Sequence, residues 1–280
     1  MLFDALEPLI PDVFARYGVR AEHLRPLETF APSDTVLLTG SYARGEATSA
    51  SDLDLTAICV APPARPPGVR GYPSIFGDSV VAARIGDLVV NVEWLRRDVL
   101  CTVCDLLAGA TGDPPSPSIA NLGPLEVRAL DRAGGGIALR ATDADAHLLA
   151  GIDLAKARAN TAALGYIACR GQLRAAAAAG TEALTRRIRL REAAESLLLA
   201  ELNALGVLTY DVKHLAQRVL RAAGPDHVRL LHGLAGSPEP DPAEFAAEID
   251  TLARRFASGL DDDEQRKQIG ALLRPVLAGR

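Results

Sequence analysis

A chain of 280 residues is long enough to bury a complete core, as one large domain or two of ordinary size. Hydrophobic residues at 49% and charged residues at 23% give a globular balance and exclude a largely disordered chain. The formal net charge of -5 runs against the basic excess of proteins that grip long nucleic acids by their phosphates, so a polynucleotide substrate is disfavoured.

The opening MLFDALEPLIPDVF lacks the basic start and long apolar core of a secretory signal. It reads as a surface helix that packs Leu2, Phe3, Leu6 and Leu9 inward. No stretch offers the roughly 20 uninterrupted apolar residues of a membrane span. Cys59, Cys101, Cys104 and Cys169 do not make a disulfide framework in a chain of this size, and the expectation is a cytoplasmic protein with reduced thiols. The run Asp34 to Thr39 predicts a buried strand ending at Gly40. Leu53 to Val60 predicts a second strand, stopped by the Pro-rich APPARPPG. Val80–Ile85, the pair Gly86-Asp87 and Leu88–Trp94 predict a hairpin with a two-residue turn. GDPPSPS at 112–118 is linker-like, and Gly134-Gly-Gly136 is a second soft point. From about Asp143 onward Ala- and Leu-rich helices are predicted over 143–179, 181–205, 211–223, 242–258 and 262–278. The fourth is the clearest: Asp241 can cap it, Pro242 suits its first position, and Glu244 suits its opening turn. Phe245, Ile249, Leu252 and Phe256 then share one face. The organisation expected is an α/β domain over 1–118 and an all-α helical domain over 119–280.

The segment Gly40-Ser-Tyr-Ala-Arg-Gly-Glu-Ala-Thr-Ser-Ala-Ser-Asp-Leu-Asp-Leu55 carries the chemistry. Asp52 and Asp54 stand two apart at the opening of a strand, so their side chains share a face. Carboxylates held side by side repel, and a divalent cation removes that cost. Mg²⁺, which takes carboxylate oxygens together with substrate phosphates, is the expected ion. Gly40 has no Cβ and lets backbone N–H groups approach a phosphate, and a helix starting at Ser41 favours an anion there. A phosphate cradle beside a carboxylate site is what phosphoryl or nucleotidyl transfer needs. An isolated Asp-x-Asp is most often a pair of solvated acids; the ordered set Gly-Ser, Ala-Arg-Gly and Ser-Asp-x-Asp-Leu between two apolar runs is far more demanding.

This stretch closely resembles the signature of the DNA polymerase β-like nucleotidyltransferase superfamily. Its form GS-x-ARG-x-x-x-x-SD-x-D-L is most similar to the minimal and antibiotic-modifying branch. The resemblance implies an α/β (α+β) nucleotidyltransferase domain with a mixed sheet. It implies Asp52, Asp54 and, from a later strand, Glu93 as catalytic acids and Mg²⁺ ligands. Gly40, Ser41, Arg44 and Ser51 would bind nucleotide. The family often has Asp at the third acidic position, where this chain has Glu93. A weaker resemblance lies in Leu208-Thr-Tyr-Asp-Val-Lys-His-Leu215, where several small-molecule nucleotidyltransferases carry a phosphate-contacting Lys; here that residue is Lys213, one of three lysines with Lys156 and Lys267. The stronger match covers 16 residues and Glu93.

Other residues keep two readings. Arg44 either binds phosphate or pairs with Glu46 or Asp52. Cys101-x-x-Cys104 lacks a second Cys or His pair for zinc and reads as buried thiols. His147, His214, His227, His232, Glu192, Glu195 and Glu201 are all candidate general bases. Glu195 and Glu201, on an apolar helix, stand out among them. The leading expectation is transfer of NMP from an NTP to a small molecule such as an antibiotic or natural product, with pyrophosphate release. Protein modification of the antitoxin type, tRNA or polynucleotide end modification drawing on Arg186, Arg187, Arg189 and Arg191, and nucleotide sensing without catalysis are the alternatives. Relatives occur as monomers and dimers, which leaves a homodimer open.

Overall fold

The first apolar run forms strand β1 (Thr35–Thr39), and all five of its residues are buried. Burial on both faces explains why its centre, Val36-Leu37-Leu38, is apolar throughout instead of alternating. In this computed structural model the described residues are 1–28, 34–64, 70–73, 79–109, 119–178, 180–209, 215–222, 225–235 and 241–278. The linker-like 112–118 and Lys213 lie outside them.

β1 joins β2 (Leu53–Cys59), β3 (Arg70–Pro73), β4 (Ser79–Ile85), β5 (Leu88–Arg96) and β6 (Ile137–Arg140) in one six-stranded sheet ordered β3-β4-β5-β2-β1-β6. β2 and β5 run parallel and the other neighbours antiparallel, so the sheet is mixed as expected. The predicted hairpin is β4–β5, with Ile85 opposite Leu88 and Gly86 at φ +60 in the turn. The alternation of side chains divides the sheet. Leu53, Leu55, Ala57, Val90, Val92 and Trp94 join a core with the N-terminal helices α1 (Leu2–Leu6), α2 (Pro11–Tyr17) and α3 (Ala21–Leu24). Leu37, Ile58 and Leu95 pack on the other face with Leu100, Ala129 and Ala133. These last three belong to α5 (Arg97–Gly109) and α6 (Pro124–Gly134). Thr39, Asp54, Thr56, Asn91 and Glu93 share the parity of that second face.

Three local expectations need correction. The N-terminal stretch is two helices, because Pro11 starts a new one, and Leu9 between them is 44% exposed instead of buried. The glycine run 134–136 is a close-packed turn between α6 and β6, not a soft point: a Cβ at Gly136 would lie 2.6 Å from the Arg132 carbonyl oxygen and 3.1 Å from Leu37 Cβ. The helix predicted over 143–179 is two. α7 (Asp143–Ala150), capped by Thr142 Oγ1 accepting from the Asp145 amide at 3.2 Å, stops at Gly151, and α8 (Leu154–Ala177) follows.

The chain divides into two compact units, Met1–Asp105 with Arg128–Asp153 and Leu106–Val127 with Leu154–Arg280. The sequence reading cuts once, at 118/119; the units interleave along the chain because the end of α6, β6 and α7 belong to the unit that holds the sheet. The second unit is helical. It comprises α8, α9 (Ala183–Ala204), α10 (Leu215–Ala222), α11 (Pro225–Ala235), α12 (Pro242–Ser258) and α13 (Glu264–Ala278). α11 escapes the sequence reading, since Gly233 interrupts its pattern; that glycine makes room for the Phe245 ring, which a Cβ would meet at 2.3 Å. α12 follows the reading closely. Asp241 accepts from the Ala243 and Glu244 amides at 2.8 and 3.1 Å, and Phe245, Ile249, Leu252 and Phe256 are buried. Phe256 stacks on Tyr166 with centroids 5.5 Å apart. Among the described residues no helix is long and apolar enough to cross a membrane.

Candidate active site

β1 ends at Thr39 and the chain turns at once into the four-residue helix α4 (Gly40–Ala43). Gly40 has φ +69, a left-handed conformation that disfavours any side chain. It is also crowded: a Cβ there would stand 2.4 Å from Asp54 Oδ2, 3.1 Å from Asp54 Cβ and 3.0 Å from Arg132 Nη1. The Gly-Ser turn therefore sits directly against the second aspartate. The Glu46 amide donates back to the Ser41 carbonyl at 2.8 Å and closes the loop. Ser51 Oγ accepts from the Thr48 amide at 2.9 Å, ordering the approach to β2.

Asp52 precedes β2 and is exposed, while the Asp54 side chain is 27% exposed. β1 places Thr39 opposite Asp54, and the parallel β2–β5 register places Asn91 opposite Asp54 and Glu93 opposite Thr56. The Asn91 amide donates to Asp54 Oδ1 at 3.1 Å and reaches Asp52 Oδ2 at 3.5 Å. Glu93 lies one rung further along the sheet and is buried. Arg128 Nη2 donates to both of its oxygens, at 2.9 and 2.8 Å. Arg132 approaches Glu93 Oε2 with Nε at 3.8 Å, donates from Nη1 and Nη2 to Asp54 Oδ2 at 3.4 Å, and donates from Nη1 to Thr39 Oγ1 at 3.0 Å. Burial holds the Tyr42 phenol above its ordinary pKa, with Tyr17 adding to the effect.

The structure thus brings Gly40, Ser41, Asp52 and Asp54 together. It places Glu93 on the same face, but engaged by arginine. Arg44 shows the pairing alternative: Nε donates to Glu46 at 2.9 Å and Nη1 to Asp131 at 3.3 Å. Sequence reasoning missed Asn91, Arg128, Asp131 and Arg132. Only Asn91 left a local signal, standing two before Glu93 on the same strand; 128, 131 and 132 fall on one side of a helix whose Val127, Leu130 and Ala133 are buried, a pattern that marks a polar face but not its place at the sheet.

Among the described residues no group of three or more His, Cys, Asp or Glu forms a metal-holding cluster. The donor set nonetheless suits a hard divalent cation. Asp52 and Asp54 supply carboxylate oxygens, the Asn91 amide can turn its oxygen inward, and the Arg132 guanidinium already stands as a positive charge on Asp54. In the helical unit Glu201 is buried beside Arg266 Nη2 at 3.3 Å and His227 Nε2 at 3.7 Å. Burial raises the pKa of Glu195 there, with Glu192 adding to it.

Residues 21–85 match the family described as Nucleotidyltransferase domain. No curated protein matches the chain in sequence. Among solved structures it is similar to a nucleotidyltransferase-like protein from Exiguobacterium sibiricum 255-15. The identity is 14% and the TM-score 0.43, over 98% of this chain and 80% of that one. The matched segment spans the Gly-Ser turn and both aspartates, and it supports a transferase. Such domains generally work with a divalent metal ion and an NTP.

Proposed function

We propose that the chain transfers a nucleoside monophosphate from an NTP to a small-molecule acceptor such as an antibiotic or natural product, with Mg²⁺ held by Asp52 and Asp54. The observation that carries this reading is the packing of the Gly40 turn against Asp54, within the segment that matches the nucleotidyltransferase domain. Gly40 and Ser41 bring backbone N–H groups to the phosphates, and the adjacent carboxylates lie where the cation must meet those same phosphates. A bound Mg²⁺ supplies charge neutralisation and orientation of the triphosphate. An acceptor oxygen attacks the α-phosphorus, the bond to pyrophosphate breaks, and the acceptor proton passes to a base. Ser51 shapes the loop between turn and aspartates through Thr48. Glu93 serves chiefly to fix Arg128 and Arg132, and becomes a third ligand only by giving up Arg128. Arg44 orders the turn through Glu46 and Asp131 and offers its remaining donors to phosphate. Lys213 is assigned to the triphosphate on the sequence resemblance alone.

The net charge of -5 favours small, often cationic acceptors over polyanions. NTP supply places the work in the cytoplasm. The test is pyrophosphate release from each of the four NTPs with Mg²⁺ across a panel of aminoglycosides, lincosamides and other hydroxylated compounds, with Asp54→Asn as blank. Acceptor-dependent release lost in that variant is expected. Release that persists in Asp54→Asn refutes the mechanism, and a label transferred to protein or RNA instead refutes the acceptor class.

A further inference from the structure

The carboxylates of the site are answered by two guanidiniums in unequal ways. Arg128 serves Glu93. Arg132, whose side chain is 13% exposed, meets three oxygen groups at once: Asp54 Oδ2, Thr39 Oγ1 and Glu93 Oε2. Its Nη1 also lies 3.0 Å from where a Cβ of Gly40 would be, so the guanidinium is packed between the second aspartate and the turn. Asp52, by contrast, is exposed and meets the Asn91 amide at 3.5 Å.

We propose that Arg132 is the positioning residue that sets divalent-cation affinity at Asp54, holding that carboxylate in the cation-free protein and yielding it when cation and nucleotide arrive together. The inference rests on the reading of Asp52 and Asp54 as the cation-holding pair. One carboxylate oxygen cannot serve a guanidinium and a divalent cation at full strength, because the two positive charges repel at such range. Cation binding therefore costs the Asp54–Arg132 pairing. A guanidinium released from Asp54 still lies against the Gly40 turn, where phosphate oxygens become its partners. Nucleotide lowers the cost of cation binding, and by linkage cation lowers the cost of nucleotide binding. Arg132 thus keeps the site closed to lone cations and opens it to the pair.

The test is a nucleotide-free titration of the full chain with Mn²⁺, reading free Mn²⁺ by electron paramagnetic resonance. Circular dichroism checks that each variant is folded. Arg132→Gln is expected to bind Mn²⁺ about tenfold more tightly than wild type, from removal of one nearby positive charge in a partly exposed site. Arg132→Lys keeps the charge without the fork and falls between the two; it also carries the test if the Gln variant is unstable. Arg128→Gln, which removes the guanidinium that serves Glu93, shifts affinity less than threefold. A merely structural Arg132 leaves Mn²⁺ affinity unchanged or weakened in Arg132→Gln, and that result overturns the inference. An equal tightening in Arg128→Gln overturns it too, by showing a general charge effect. Asp54→Asn separates the layers. Lost Mn²⁺ binding there with no gain in Arg132→Gln sinks this inference alone, whereas intact binding there sinks the cation-site reading beneath it.

Discussion

A single methyl group placed on Gly40 probes the site at its tightest point. In Gly40→Ala the new carbon would lie 2.4 Å from Asp54 Oδ2 and 3.0 Å from Arg132 Nη1, on a backbone held at φ +69. The left-handed conformation costs a non-glycine residue roughly 1–2 kcal/mol. Overpacking a filled site costs a further ~1–3 kcal/mol. A stability loss of about 2–5 kcal/mol follows if Asp54 stays in place. If Asp54 turns aside instead, the stability loss shrinks and cation binding is lost. The control is Gly86→Ala, which shares positive φ but has nothing within 4 Å of the added carbon, so only the backbone cost of roughly 1–2 kcal/mol applies. Urea denaturation and Mn²⁺ titration of both variants read the two effects separately. Gly40→Ala as stable as Gly86→Ala, with wild-type Mn²⁺ affinity, would show that the turn does not press on Asp54.

The other predictions concern the supports of the fold. Burial by itself raises the pKa of Asp145, but hydrogen bonds from Arg97 at 2.6 and 2.8 Å and from Thr35 at 2.6 Å outweigh it, and the carboxyl titrates below its ordinary range. Asp145→Asn should cost about 1–3 kcal/mol near pH 7, discounted because Arg97 is partly exposed. The contribution is complete above the unfolded carboxyl value near ~4 and fades as pH falls toward the lower folded value. Urea midpoints of the two proteins should therefore converge below about pH 4; a gap that stays constant with pH counts against the pairing. Burial pushes the Cys169 thiol up to about 12 and raises Cys104 as well, while Cys59 is fully enclosed. Alkylation at pH 8 followed by peptide mass analysis should mark Cys101 first and Cys104 more slowly, and reach Cys59 and Cys169 only in urea. Native labelling of Cys169 at the rate of Cys101 would contradict that enclosure.

Local chemistry explains what the sequence made readable. The strand β1, the β4–β5 hairpin and the cap of α12 each depend on neighbours a few residues away, and all three appear where the sequence puts them. Asp52 and Asp54 were legible for the same reason, since two residues on one strand must share a face. Glu93 was legible as a residue on that face, but its depth was not. Its rung depends on the β2–β5 register, which joins segments 37 residues apart (Asp54 with Asn91). Arg128, Asp131 and Arg132 were illegible as site residues because nothing local says that α6 returns to the sheet. The glycine run after α6 was misread for a related reason: its demand comes from Leu37 and Thr39, about a hundred residues earlier in the chain, and contact with a distant strand leaves no local trace.

The acids and cations around Gly40 carry a further meaning when taken as a set. Among the described residues, the carboxylates are Glu46, Asp52, Asp54, Glu93 and Asp131, and the guanidiniums joined to them are Arg44, Arg128 and Arg132. Within this set, five formal negative charges against three positive ones leave an excess of minus two, which one divalent cation would offset. Under the proposed cation-binding reading, one doubly charged ion would bring this set to neutrality, and a further cation would have to arrive with anionic charge of its own, as a triphosphate provides.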